Sequence, residues 1–135
     1  SETRVAATPE TIRKFIGLGA EVVVETGAGT ASGISDADYE AAGATIAKSA
    51  AEALAGAAIV LKVRRPAESE IAALPKGALV FGIMDPYGNE AAVAALGKAN
   101  VAAFAMEFVP RITRAQVMDV LSSQANLAGY RAVVD

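Results

Sequence analysis

Short apolar, β-branched runs alternate along the chain with segments whose apolar positions recur every three or four residues. The first pattern predicts strands and the second predicts helices. Strands are predicted at 21–25, 45–47, 58–63, 78–83 and 101–106. Helices or helical turns are predicted at 8–17, 35–42, 49–55, 66–74 and 89–98, and a last helix begins at Thr113.

This alternation predicts the fold class, because parallel strands need crossover connections that are usually helical. The run at 58–63 is apolar enough to be buried on both faces. We therefore expect an α/β fold with three layers, a parallel sheet with helices on both faces, of the flavodoxin-like or Rossmann-like kind. Ligands of such sheets bind at the carboxyl ends of the strands. Here those ends lead into the loops at 27–29, 64–66, 85–87 and 107–111.

Composition narrows the possible functions. The 135 residues are 53% hydrophobic and 20% charged, which fits one globular domain with a sizeable core. The net charge of −3 and the lack of a basic patch argue against nucleic-acid binding. There is neither Cys nor His, so we expect no metal site, and a reducing, cytoplasmic setting fits. No apolar run approaches the ~20 residues of a membrane span.

The last helix is the most informative segment of the chain. Arg111 precedes it, and Thr113 is expected to cap it. At ~100° per residue, one polar face would combine an amide, a carboxylate and a hydroxyl, with a further hydroxyl at its edge. These residues are Gln116, Asp119 and Ser123, with Ser122 at the edge, while Met118, Leu121 and Ala125 form the apolar stripe. Such a helix can hold a polar ligand. From the pattern alone, an ordinary surface helix in which Arg111 and Asp119 form an exposed ion pair is the favoured alternative.

Other polar groups receive mainly structural interpretations. The spacing Gly27-x-Gly29-x-x-x-Gly33 is one residue too long for the dinucleotide fingerprint, so we interpret it as a glycine-rich turn. Asp85 fits a hydrogen-bonded turn before a proline. Glu68 and Glu70 fit a solvated helix start.

Lys62, within an apolar strand, remains open to two interpretations. It either extends its ammonium to solvent or forms a carboxylate-binding pair with Arg4.

The segment from Arg111 onward closely resembles the soluble NAD(H)-binding component of proton-translocating NAD(P) transhydrogenases. The family pattern reads Pro-Arg-Ile-Ser-Arg-Ala-Gln-x-x-Asp-x-Leu-Ser-Ser-x-x-Asn-x-Ala-Gly-Tyr-Arg-Ala. The corresponding segment of this chain begins Pro-Arg-Ile-Thr-Arg-Ala-Gln at Pro110. Further matches occur in order at 4–9, 27–29, 41–44 and 61–66. They extend the resemblance over essentially the whole chain, and they are shared with the related alanine dehydrogenases.

The resemblance implies that Arg111, Gln116, Asp119 and Ser122 bind the nicotinamide end of NAD(H). Gln116 would orient the ring, and an Arg111–Asp119 pair would hold the guanidinium in place. Hydride transfer between two nicotinamides moves no proton at the reacting carbons, so positioning matters more than acid or base catalysis.

The resemblance also implies an assembly. It predicts an NAD(P)+ transhydrogenase of the Si/Re-specific, proton-translocating class, built as a homodimer. NADP(H) would bind a separate component, and a membrane-spanning component would move protons. This chain would be cytoplasmic and peripheral to the inner membrane through those partners.

Relative to that family, residues 1–135 correspond to a single domain, the N-terminal subdomain of the NAD(H)-binding component. The family's first strand and its Rossmann half are not in this sequence, so we expect 1–135 alone to be inactive. Two other functions remain open: an alanine-dehydrogenase-like NAD-dependent oxidoreductase, and a non-catalytic partner-binding module. The former family uses a His after the strand that corresponds to 78–83, and this chain has none.

Overall fold

The computed structural model describes residues 2–134, and its elements follow the predicted order. The strands are β1 (Val23–Glu25), β2 (Thr45–Ala47), β3 (Ile59–Arg64), β4 (Leu79–Ile83) and β5 (Ala102–Ala105). The α-helices are α1 (Pro9–Gly17), α2 (Asp36–Ala41), α3 (Ala50–Leu54), α4 (Glu68–Ile71), α5 (Glu90–Lys98) and α6 (Val120–Val134). Short 3₁₀ helices occupy Thr30–Ser32, Met106–Phe108 and Thr113–Met118.

The first two helices begin at the capping residues that the sequence indicates. The Thr8 hydroxyl accepts the Thr11 amide at 3.3 Å, and Pro9 follows it at the first helical position. In α2 the Ser35 and Asp38 side chains accept each other's backbone amides, which forms a capping box. Both helix starts are therefore set by local sequence.

All pairing between the strands is parallel, which confirms the expected α/β class. Hydrogen bonds nevertheless divide the strands of residues 2–134 into two sheets, β1-β2 and β3-β4-β5, where the sequence predicts one. In the larger sheet Leu79 pairs with Ile59 on one side and with Ala102 on the other. Because these three strands are parallel, their carboxyl ends and the loops that follow them lie at the same edge of the sheet.

Each sheet has its own core. Beside β1-β2, Ile12 and Tyr39 are buried together with Ala42 and Ala44, and the Tyr39 hydroxyl donates to the Ala7 carbonyl at 3.1 Å. Behind β3-β4-β5 the buried residues are Leu54, Val60, Ile71, Leu74, Val80, Met84 and Leu96. Fully burying a Leu or Ile side chain contributes ~1.5–3 kcal/mol. The two clusters therefore stabilise the two sheets separately.

The other face of the larger sheet is only partly covered, because α6 lies on this side across a cavity. Ile59, Leu61 and Phe104 are 58%, 38% and 45% exposed on this face, although parallel sheets are normally covered on both sides. Phe104 stacks on Phe81 with ring centroids 4.5 Å apart. A cavity of about 640 Å³ separates this face from the N-terminal segment and α6.

Candidate functional site

The predicted ligand-binding residues lie beyond the carboxyl end of β5. There the chain turns through Met106–Phe108, crosses Pro110 and enters the 3₁₀ helix Thr113–Met118, which leads to α6. A cavity of about 310 Å³ is lined by Arg111, Ile112, Thr113, Gln116, Asp119 and Ser122. The structure thus brings together all four residues singled out from the sequence. Their binding of a ligand stays a prediction.

The helix that the sequence predicts from Thr113 is interrupted at Asp119. Asp119 has an extended backbone, with φ −74° and ψ 97°, between the 3₁₀ helix and α6. Its side chain explains the break, because one carboxylate oxygen accepts the amides of Leu121 and Ser122 at 3.0 and 3.1 Å. Asp119 is therefore the N-cap of α6, and the capping role expected of Thr113 is wrong.

The break changes which side chains share a face. Gln116 and Ser123 no longer belong to one continuous helix, so the single polar stripe predicted from the 100° periodicity does not form. The apolar stripe is not buried either, since Met118 and Leu121 are 51% and 54% exposed. What gathers Gln116, Asp119 and Ser122 around one cavity is the turn at Asp119 itself.

Asp119 is held in its charged form. The Ser122 hydroxyl donates to its second carboxylate oxygen at 2.6 Å. That hydrogen bond, the backbone amides of Ser122 and Leu121 and the positive charge of Arg111 lower the pKa of Asp119. A carboxylate with these acceptor sites already in use is a structural group that orders the cavity wall.

The expected ion pair between Arg111 and Asp119 does not form among residues 2–134. Arg111 acts on Asp119 only as a nearby charge, and its guanidinium makes neither a hydrogen bond nor a salt bridge within that range. The Gln116 amide likewise has no side-chain hydrogen bond there. Because the Asp119 carboxylate is hydrogen-bonded to the first turn of α6, the Arg111 guanidinium and the Gln116 carboxamide remain available at the cavity.

These available groups define what the cavity can bind. A carboxamide ligand needs both a donor and an acceptor, and the Gln116 side chain supplies both. The Arg111 guanidinium supplies donors and positive charge for a carbonyl or a phosphate oxygen. The nicotinamide end of a dinucleotide carries a carboxamide near phosphates, so the residues present fit this group.

Lys62 and Arg4 lie at the larger cavity, and each already has an acidic partner. The Lys62 ammonium forms a short hydrogen-bonded ion pair with the Glu70 carboxylate. Arg4 pairs with Glu2 at 2.7 Å and also donates to Gln124 on α6. The solvated helix start expected for Glu70 is therefore wrong, because its partly buried side chain is paired with Lys62.

The glycine-rich turn is structural. The Gly27 amide, which a dinucleotide motif would offer to phosphate, donates to Asp36 at 2.8 Å. A Cβ on Gly29 would lie 2.7 Å from the Ile34 carbonyl oxygen and 2.8 Å from the Tyr39 ring. The second glycine is thus required for packing on Tyr39.

A network at the ends of the three strands was not predicted from the sequence. Arg65, after β3, donates to the carbonyls of Met84 and Asp85 and to the Asn89 side chain. Glu107, after β5, accepts the amides of Met84 and Asp85. The available signal was a charged residue within two positions of the end of each strand, at the edge where ligands bind.

The chain is similar to proteins of one known family. Residues 1–128 match the family model described as alanine dehydrogenase/PNT, N-terminal domain. A protein of Rhodospirillum rubrum, named as the first portion of NAD(P) transhydrogenase subunit alpha, is 50% identical over 99% of this chain and 36% of its own length. The chain therefore spans about a third of that curated relative.

Solved structures agree with the sequence comparison. A transhydrogenase from Sinorhizobium meliloti superposes with a TM-score of 0.93 and 56% identity, over 99% of this chain and 40% of that one. An L-alanine dehydrogenase superposes with a TM-score of 0.78 and 30% identity, over 84% of this chain and 31% of that one. Across residues 2–134, no helix is long and apolar enough to cross a membrane.

Proposed function

The chain belongs to the alanine dehydrogenase/PNT N-terminal domain family, and we propose that it forms the first subdomain of the NAD(H)-binding component of a proton-translocating NAD(P) transhydrogenase. In that protein, bound NAD(H) would exchange a hydride with NADP(H) held by a partner component. The proposal makes residues 1–135 one half of a dinucleotide site and assigns the remaining contacts to a Rossmann half elsewhere in the protein.

The observation that carries the proposal is the cavity beside Asp119. Arg111 and Gln116 line it without side-chain partners among residues 2–134, and Asp119 and Ser122 bond to each other beside them. Transhydrogenase relatives are also more similar to this chain than the alanine dehydrogenase, with 56% against 30% identity in the two structural superpositions.

Each residue has a role in positioning. Gln116 would hold the nicotinamide carboxamide and so fix which ring face is presented. Arg111 would bind an oxygen of the ligand, and the Asp119–Ser122 pair would keep the cavity wall in place. Direct hydride transfer needs the two reacting carbons ~3–3.5 Å apart and aligned, and no general base is required. A site without His or Cys suits this chemistry.

The same proposal covers the assembly. The component would act as a homodimer with an NADP(H)-binding component and a membrane-spanning component that moves protons. The chain would lie on the cytoplasmic side of the inner membrane, and the transfer would be of the Si/Re-specific kind. The names of the transhydrogenase subunit alpha relatives support association with further components.

An alanine-dehydrogenase-like activity is the second candidate. It is favoured by the positions of Arg4 and Lys62 at the 640 Å³ cavity, where they could bind a substrate carboxylate. Against it, both cations already have acidic partners, and the proton transfers of reductive amination would lack a His.

Deuterium transfer separates the two candidates. The full-length protein that contains this chain is combined with its NADP(H)-binding partner and given NADH that carries deuterium at both C4 positions, together with NADP+. We expect deuterium in NADPH and none in water, and no NADH oxidation with pyruvate and ammonia. Oxidation with pyruvate and ammonia, without transfer to NADP+, would replace the first candidate by the second.

A further inference from the structure

The segment that carries the candidate site has little buried surface of its own. Among residues 110–118, only Ala115 is buried, at 6% exposure. Packing therefore cannot by itself fix the direction in which Arg111 and Gln116 project. A positional error of ~1 Å at reacting groups costs ~100-fold in rate. Something besides packing must hold this segment.

Glu107 supplies such an attachment. It lies four positions before Arg111, in the 3₁₀ helix Met106–Phe108 that ends β5. Its carboxylate accepts the Met84 amide at 3.0 and 3.1 Å from its two oxygens, and one of these oxygens accepts the Asp85 amide at 2.5 Å. Hydrogen bonds to a charged acceptor are about twice as strong as neutral ones. The start of the site segment is thus attached to the end of β4.

The turn that receives Glu107 is held from its other side. Asp85 has a left-handed backbone with φ 45°, which a non-glycine residue adopts only when its surroundings impose it. Arg65 donates to the Met84 and Asp85 carbonyls at 3.0 and 3.2 Å, and the Asn89 amide also donates to Asp85 at 3.0 Å. Glu107 therefore binds a rigid partner.

We propose that Glu107 is a positioning residue for the Arg111–Gln116 cavity, acting through its hydrogen bonds to the Met84–Asp85 turn. Together with buried Ala115 it fixes both ends of the short stretch that contains Arg111. Glu107 does not line the cavity and makes no contact with the ligand in this scheme. The inference rests on the proposed function, because its consequence is a hydride-transfer rate.

The test uses the full-length protein with its NADP(H)-binding partner and compares Glu107→Ala, Glu107→Gln and a control, Glu40→Gln. Glu40 is an exposed carboxylate on α2 with no side-chain hydrogen bond among residues 2–134. We expect hydride transfer at saturating NADH to fall ~10–100-fold in Glu107→Ala. We expect a smaller loss in Glu107→Gln, which keeps one acceptor, and no change in Glu40→Gln.

Two further readouts separate positioning from simple loss of fold. Hydrogen exchange should accelerate at the Met84 and Asp85 amides in Glu107→Ala, while the Val80 amide in the sheet stays protected. The Kd for NADH should change less than ~3-fold, because most binding area lies elsewhere. An unchanged transfer rate despite faster exchange at Met84 would overturn the inference, as would equal losses of rate and affinity. Absence of transfer in the wild-type protein would instead overturn the proposed function.

Discussion

The Ser122 hydroxyl donates to the Asp119 carboxylate at 2.6 Å, across the junction between the 3₁₀ helix Thr113–Met118 and α6. The same carboxylate caps α6 through two backbone amides. One acidic residue therefore ends the first helix, begins the second and shapes the cavity between them. The protonation state of Asp119 should therefore affect the end of the 3₁₀ helix, the start of α6 and the shape of the cavity.

The first prediction concerns pH. The pKa of Asp119 is lowered from its ordinary value of 3.8 by the Ser122 hydroxyl and the backbone amides. The folded state then binds fewer protons than the unfolded state, so the cap stabilises fully above the unfolded pKa and is lost as the pH falls through the folded value. In the full-length protein we expect the Leu121 and Ser122 amide resonances to titrate below about pH 4.

Asp119→Asn is the matched control for this titration. Asn is a good N-cap but carries no titratable proton, so it should retain α6 and lose the pH dependence at Leu121 and Ser122. Asp119→Ala should weaken the first turn of α6 at every pH. Titration of the two amides in Asp119→Asn with the wild-type midpoint would assign the effect to another carboxylate.

The second prediction concerns Gln116. If its amide orients the nicotinamide ring, Gln116→Ala should slow hydride transfer ~100-fold in the full-length protein and weaken NADH binding much less. Single-turnover transfer and equilibrium titration give the two quantities separately. Gln124→Ala removes the same type of side chain from α6 outside the 310 Å³ cavity, where Gln124 accepts from Arg4, and it should leave the transfer rate within about twofold. Equal losses of rate and affinity in Gln116→Ala would exclude an orienting role.

These effects show where sequence patterns succeed and where they stop. The strands β2 to β5 lie within one residue of their predicted bounds, because apolar runs and their flanking turns are local signals. The sequence predicts one continuous helix from Thr113 because helical periodicity continues through Asp119, and that prediction is wrong. Only the competition between Asp119 and the helical backbone ends the helix there.

Local sequence patterns could not predict contacts between residues that are far apart in the sequence. The Glu107–Met84 and Arg65–Asn89 hydrogen bonds join loops that only the strand order brings together. The partner of Lys62 could not be predicted either, since Glu70 lies on the next helix and resembles a solvated residue in the sequence. The residues that line the candidate cavity could be selected from the sequence, but the hydrogen bonds that hold their segment in place could not.

The third prediction concerns glycine packing. Gly82→Ala should destabilise the protein by about 1–3 kcal/mol, because the added Cβ would lie 2.7 Å from the Lys62 carbonyl oxygen in the neighbouring strand. Gly97→Ala is the control. Its Cβ would meet nothing within 4 Å, and it lies inside α5, so it should stabilise by about 0.5–1 kcal/mol. Urea unfolding monitored by circular dichroism measures both. A neutral Gly82→Ala would mean that β3 shifts to admit the methyl group.

The fourth prediction concerns binding by residues 1–135 alone. The 310 Å³ cavity offers groups for the nicotinamide end only, so the isolated polypeptide should bind NADH weakly or not at all, whereas we expect the full-length protein to bind it. Titration of NADH fluorescence with each polypeptide gives the comparison, and Gln116→Ala reports whether any residual binding uses this cavity. Micromolar affinity in residues 1–135 would show that the half-site proposal is wrong.

The fifth prediction concerns association of the isolated polypeptide. Ile59, Leu61 and Phe104 leave an apolar sheet face partly exposed, and Leu127 and Val133 on α6 are 60% and 87% exposed. Apolar surface of this extent drives association, and unpaired strand edges add to it. We expect residues 1–135, expressed alone, to form oligomers or aggregates, and we expect the full-length protein to be a well-behaved dimer. Ile59→Lys should reduce self-association, whereas Glu40→Lys, which adds the same positive side chain on α2, should not. Light scattering decides between the outcomes. A monodisperse monomer of residues 1–135 would mean that the exposed apolar face does not drive association.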